Sequence, residues 1–445
     1  MLLCIVLYVK KGDFVFPVSI VLESFLISMV IVLLQINQWD AYISLKTFSV
    51  LSVGVISYTT VGLICSENFK FDRVGNIPEK KEYRPPYINA RITIAVIIIE
   101  ILLTFKIYID VRQSSLSIGG FSNFSEMIGK YRNGSSLGYL QESISNISKY
   151  GLMSIFSIAY IYIYILILNI FQKGKNKISL LNCFLSILPV LIASFCSILI
   201  GSRSNILNFV FAALVLYYIL FNKDKKNTFS LKEIKLLMKY LIVFLIVILA
   251  FSSIRTLVGR TSEYGFIDYI SKYIGAPIKL FDMYLNNPSL NIVANPQSSN
   301  IVWGQETFKN FWRGWGSITN NNDLNSLIVN KEWRMFNGFS LGNIYTAFRV
   351  YYNDFGLIGV VLLSALHSSI FCVYYNFILN KVRFMKKNKI CFSVLFYMFI
   401  CNALFEYSSD DILFQIDFSF VTLEYMFLFV LFDFLLVRLS NIKMK

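Results

Sequence analysis

Arginines at the borders between apolar and polar stretches are the residues of this chain best suited to chemistry. Arg203 stands in Gly201-Ser202-Arg203-Ser204, where two apolar runs meet with almost no loop. Gly201 suits so tight a turn. Arg255 and Arg260 open a long polar stretch, and Arg349 closes it in Phe348-Arg349-Val350-Tyr351-Tyr352-Asn353-Asp354. A guanidinium is a planar fork of donors that matches phosphate oxygens in pairs, so arginines at a membrane face suit a lipid phosphate or diphosphate. The plainer alternatives are anchors that snorkel to headgroups and loop ion pairs with Glu263 or Asp268. Arg255 is nearer its apolar run than Arg260 and is the stronger candidate. Asp354, five residues after Arg349, adds a carboxylate. Arg349 and Asp354 together could hold a leaving diphosphate and take the proton of an acceptor hydroxyl. The competing reading is an Arg–Asp pair that locks the start of a helix.

Between Arg255 and Arg349 lie Trp303, Trp312, Trp315 and Trp333, four of the five tryptophans, with Tyr264, Tyr269, Tyr273 and Tyr284. Aromatic faces stack on the apolar C–H faces of sugars, and they also settle at membrane interfaces. Trp312 and Tyr345 are the candidates here for glycan contact. Residues 266–285 have helical spacing, broken at Pro277. The acidic turn Glu406, Asp410, Asp411 lies on the same expected side as this loop.

The elements that must position these residues are apolar helices. Hydrophobic residues make up 56% of the chain and charged residues 15%, with a mean hydropathy of +0.61, far from a soluble composition. Ten runs are long enough to span, at 16–36, 45–65, 91–109, 150–171, 178–200, 204–221, 236–254, 355–378, 390–405 and 412–437. Residues 1–9 are apolar but short. Lys10 and Lys11 follow them, the reverse of signal-peptide order, so they read as the tail of a further spanning helix. The expected fold is an all-α polytopic integral membrane protein of about 10–11 transmembrane helices with one long external loop. Its parts are 1–254 (helices with a cytoplasmic loop at 66–90 and an external loop at 110–149), a large external loop at 255–349, and helices at 350–445. Residues 121–131 form an amphipathic patch suited to the membrane surface.

The net charge of +15 sits mostly in short lysine-rich loops, as an orientation signal does, and nucleic acid is not an expected partner. Lys173 to Lys177, Lys223 to Lys239, Lys381 to Lys389 and the tail with Arg438, Lys443 and Lys445 mark the cytoplasmic side. Both termini then fall inside, and 255–349 outside. The one histidine, His367, lies in an apolar run, and the seven cysteines form no CxxC pair. Neither a metal site nor a cofactor is expected. Deep ionisable residues (Glu100, Asp417, Glu424 and Asp433) read as structural charges, Glu100 as a partner of Lys106.

Four stretches, IGSRSNILNF at 200–209, YIGAPIKLFDMYL at 273–285, WGQETF at 303–308 and NIYTAFRVYYNDFGLIG at 343–359, resemble the oligosaccharide repeat-unit polymerases called Wzy, which make O-antigen and capsular polysaccharide. The resemblance covers the C-terminal half; the N-terminal half is similar in hydropathy alone. Arg255 to Gly265 and Arg349 to Gly359 each enclose nine residues, one fewer than a pattern described for some members. The resemblance implies a glycosyltransferase with a GT-C-like architecture in the cytoplasmic (inner) membrane. It implies transfer of a growing glycan from undecaprenyl diphosphate to the terminal sugar of a lipid-linked repeat unit, at the external or periplasmic face. Expected partners are that lipid-linked oligosaccharide, the bilayer, a chain-length regulator and a flippase. In this reading Arg349 and Asp354 are catalytic, and Arg203, Arg255, Arg260, Tyr345 and Trp312 bind diphosphate and glycan. An O-antigen ligase-like transferase and a lipid-linked oligosaccharide flippase are the alternatives. A ligase is expected to carry a histidine in the external loop, which this loop lacks, and a flippase is expected to carry more charge within its spans.

Overall fold

In lipid no water satisfies the backbone, so long apolar runs close their hydrogen bonds within helices. The computed structural model describes residues 1–69, 86–137, 144–171, 180–222, 265–294, 301–327, 329, 331–383 and 389–438. Among them, α1 (Leu2–Val9) is followed by α2 (Pro17–Leu34), α3 (Leu45–Asn68), α4 (Ala90–Ile118), α5 (Phe124–Leu137), α6 (Asn146–Ile170), α7 (Leu180–Leu199) and α8 (Ser204–Asn222). The long loop supplies α9 (Phe266–Ile274), α10 (Ala276–Asn286) and α11 (Lys309–Thr319). The chain returns through α12 (Ala347–Arg383), α13 (Phe392–Ile400) and α14 (Phe420–Phe432). Eight helices among the described residues are long and apolar enough to cross a membrane. Large side chains such as Ile98, Leu102 and Phe105 on α4 and Phe427 on α14 face outward, as they do against lipid. The protein is a mostly helical, multi-pass membrane protein.

The expected span at 236–254 lies outside the described residues. That at 390–405 is a broken run, Phe392–Ser408, which stops being regular at Cys401. The expected span 412–437 is divided. A wide turn at Leu413–Asp417 closes with Phe418 N–H donating to the Leu413 carbonyl at 2.7 Å. Ser419 then caps α14. Lys106 pairs with Asp110 at 2.6 Å, not with Glu100. Four residues bring two side chains onto one helix face and six do not. Asp110 also accepts from Ser145 and Ser148 at the start of α6. The patch at 121–131 contributes Met127, Ile128 and Tyr131 to the buried side of α5.

The tightest seam runs between α3 and α12. A Cβ on Gly54 would meet Phe348 at 2.7 Å, and one on Gly62 would meet Ser368 at 2.3 Å. Small residues let membrane helices approach this closely. Ser368 Oγ donates to the Tyr58 carbonyl at 2.6 Å, and the buried His367 sits with Nδ1 3.2 Å from the Tyr58 hydroxyl. At one end of this bundle, Lys10 pairs with Glu67, and Tyr375 donates to Asp13. The loop helices occupy the other end. Asp282 on α10 accepts from Ser44 N–H at 3.0 Å and Thr47 Oγ1 at 2.7 Å, and Lys279 donates to the Asp40 carbonyl at 2.7 Å. Residues 266–285 break at Gly275; Pro277 sits in the first turn of α10, where its missing N–H costs nothing.

The long loop is not purely helical. Strands β1 (Ile292–Ala294), β2 (Trp333–Phe336) and β3 (Phe339–Gly342) form an antiparallel sheet in the order β1-β2-β3. The β2–β3 turn is Asn337-Gly338, with φ of 47° and 75°, the two-residue hairpin turn that matches strand twist.

Candidate functional site

The first turns of α12 carry Arg349 and Asp354 and end at Gly356, where φ is 65° and ψ is −157°. Only glycine adopts that region readily. The short helix bearing Arg349 is thereby set at an angle to the span that follows.

Arg349 is 4% exposed. Its Nη1 donates to Glu306 Oε2 at 2.5 Å and its Nη2 to Glu332 Oε2 at 3.1 Å. The guanidinium carbon lies 4.0 Å from the centre of the Tyr284 ring. Nε is enclosed with no acceptor. Burial raises Glu306 above the usual carboxylate range, against the pull of Arg349. Burial also pushes Glu332 upward, but Arg349 and Arg334 outweigh it and hold this carboxyl below its ordinary value.

Arg334 on β2 is fully buried. Its Nε donates to Tyr345 Oη at 3.0 Å, Nη1 to the carbonyls of Asn287 and Leu290, and Nη2 to the Pro288 carbonyl and Glu332 Oε1. A guanidinium has five N–H donors, and all five are engaged. Tyr345 is fully buried, and its hydroxyl donates to the Glu332 carbonyl at 3.0 Å. Its place is to hold Arg334, below the surface a glycan would touch.

Asp354 Oδ2 accepts from Thr307 N–H at 2.7 Å. It therefore fixes the 303–308 turn, while Arg349 takes the neighbouring Glu306. The competing reading of a direct Arg349–Asp354 pair gives way to these two linked contacts. Trp303, 75% exposed, packs edge-on over Phe355 at 4.5 Å.

Arg203 is nearly buried at the α7–α8 turn, where Gly201 has φ of 71°. Its guanidinium faces the rings of Tyr269 and Tyr273 on α9 at 5.5 and 5.7 Å. Arg203 thus meets Tyr273 on α9 and Arg349 meets Tyr284 on α10, at different places along the α9–α10 arm. Arg255 and Arg260 lie outside the described residues. Trp312 is half-buried on α11, its Nε1–H enclosed without an acceptor.

A second cluster borders the first. Lys309 donates to the Val329 carbonyl at 3.2 Å, and Lys331 pairs with Asp410 at 2.5 Å. Burial, with Arg313 and Lys331 nearby, pushes Lys309 down to about 8. Burial raises Asp411 to about 8. Sequence reasoning missed Glu306, Glu332, Arg334, Lys309 and Lys331. Glu306 had one signal, its place in the WGQETF stretch. The others are single charges in a polar loop, and only the fold brings them together.

No protein-family model matches the chain, nor does any curated protein or solved structure.

Proposed function

We propose that this chain is a membrane glycosyltransferase that polymerises lipid-diphosphate-linked oligosaccharide repeat units, with the loop side of the bundle facing outward. One observation carries the reading. The four stretches that resemble repeat-unit polymerases are distant in sequence yet form one continuous run of contacts. The 200–209 stretch gives Arg203 to Tyr273; the 273–285 stretch gives Tyr284 to Arg349; the 343–359 stretch gives Arg349 and Asp354 to Glu306 and Thr307 of 303–308. Residues that merely filled spans would have no reason to meet at one mouth.

In this reading the terminal hydroxyl of the acceptor attacks the anomeric carbon at the reducing end of the donor glycan. The bond from that carbon to the diphosphate oxygen breaks, and the hydroxyl proton passes to a carboxylate. Asp354 is the candidate base, oriented by the Thr307 N–H. Glu306, which burial makes more basic, is held beside it by Arg349. Arg349, whose enclosed Nε has no acceptor, is the candidate partner for charge developing on the leaving oxygen. Exposed Trp303, Trp315 and Trp333 offer faces for the glycan. Orientation rests on the lysine-rich stretches of the sequence.

The test is a deletion strain of the source cell, with its surface and lipid-linked glycans run on a gel. Single repeat units in place of a long ladder are expected. An unchanged ladder overturns the proposal.

A further inference from the structure

Helix α11 has two unlike faces. Phe311 lies 5.3 Å from the Phe418 ring and 5.8 Å from the Phe420 ring, and Trp315 stacks on Phe311. A Cβ on Gly314 would meet Phe420 at 2.5 Å. Phe420 is the first residue of α14 and opens the helical run Phe420–Arg438, which is long and apolar enough to span. The aromatic face of α11 therefore lies against the beginning of a membrane span, at the level where a bilayer ends. Lys309 and Arg313, four residues apart, share another face. Lys331 is brought beside them by Asp410.

These three cations are undercompensated. Arg334 and Arg349 are balanced by Glu306 and Glu332, two charges against two. Lys309, Arg313 and Lys331 have Asp410 as their one ion-paired carboxylate among the described residues, a surplus of two. Asp411, with a carboxyl raised to about 8, adds little negative charge at neutral pH. Glu306 faces Lys309 and Lys331 from the other side but is committed to Arg349. Like charges held together near a low-dielectric boundary repel at a cost that an anion offsets. The enclosed Nε1–H of Trp312, between Lys309 and Arg313 in sequence, is a further donor without an acceptor.

We infer that Lys309, Arg313, Lys331 and the Trp312 indole form a binding site for the phosphate or diphosphate headgroup of a lipid, approached from the bilayer along α11. The identity of the lipid as a glycan carrier rests on the transferase reading above; the anion site does not. The donor headgroup is thereby assigned to the α11 side of the mouth, with Arg349 and Asp354 left for the reacting sugar.

Binding without turnover tests it. The full chain in nanodiscs of neutral phosphatidylcholine is titrated with a glycan-free polyprenyl diphosphate and, separately, with inorganic diphosphate in solution, reading tryptophan fluorescence and retained lipid. Saturable lipid binding is expected. Arg313→Glu, at an exposed position that leaves the fold intact, should weaken it about tenfold or more, as loss of a charge-assisted hydrogen bond implies. The combined Lys309→Met, Arg313→Met, Lys331→Met variant should abolish it. Unchanged lipid affinity in Arg313→Glu overturns the site. Inorganic diphosphate binding as tightly as the lipid overturns the lipid assignment. Lipid binding by a wild-type chain whose deletion leaves polysaccharide unchanged sinks the transferase reading and leaves the site standing. Loss of polymer on deletion, with Arg313→Glu binding lipid normally, does the reverse.

Discussion

Arg334 and Arg349 share one carboxylate, Glu332, and are fifteen residues apart, yet they are built differently. Arg334 spends all five donors on the protein, three of those bonds going to carbonyls of the segment just after α10. It is a plug that ties the α9–α10 arm to the β2–β3 hairpin. Arg349 is nearly as buried but donates to two carboxylates, lies on the Tyr284 ring, and has an enclosed Nε without an acceptor. Burial alone does not separate these two arginines. The count of unspent donors does, and sequence cannot supply that count.

The largest expected effect comes from the plug. Arg334→Ala strands three carbonyls and the Glu332 carboxylate, and breaking a buried pair of this kind costs about 3–5 kcal/mol. The variant should aggregate, or unfold at clearly lower temperature in a fluorescence thermal shift. Wild-type stability would erase the distinction between the two arginines.

Arg349→Lys should behave oppositely. The ammonium keeps the charge and can reach one glutamate, so the protein should express normally and melt near wild type. Losing the fork should lower polymerisation about a hundredfold, the size seen when one transition-state donor is removed. Glycan chain length in a complemented deletion strain reads this. Normal chains would make Arg349 a second structural residue.

The smallest effect is on pH. Guanidinium groups stay charged throughout the working range, so neither arginine should make activity fall above neutrality. Lys309, depressed to about 8 by burial and by Arg313 and Lys331, should. In the proposed lipid site its charged form attracts the phosphate, so donor affinity should be full well below pH 8 and fall as pH rises through it. Polymerising activity measured at subsaturating donor should drop several-fold from pH 7 to 9, and Lys309→Arg should flatten the curve. A drop that persists in Lys309→Arg places the titrating group elsewhere.

The spans were legible because lipid demands one periodic, apolar solution; residues 45–65 and 204–221 became α3 and α8 with ends moved by a few positions. The break in 412–437 was less so, since apolar composition does not reveal the wide turn before Ser419. In the loop, Asn337-Gly338 is a strong hairpin signal, but it was submerged in a stretch read for its aromatics. Arg349 and Asp354 were visible from position and type. Their partners were not, because Glu306 and Glu332 lie 43 and 17 residues from Arg349 and no periodicity links them.

The glycine seam between α3 and α12 bears on traffic. At Gly54 and Gly62 the side chains of Phe348, Val360, Ser368 and Cys372 fill the space a Cβ would need, and no acyl or polyprenyl chain can slip between the two helices. A substrate that stays anchored in the bilayer while its headgroup reaches Arg349 cannot come through that side of the barrel of helices. Where α14 starts beside α11, the contact is made instead by the flat rings of Phe311, Phe418 and Phe420. The seam acts as a closed wall, so in the transferase reading a lipid-linked substrate has to reach Arg349 by a route that does not pass between α3 and α12.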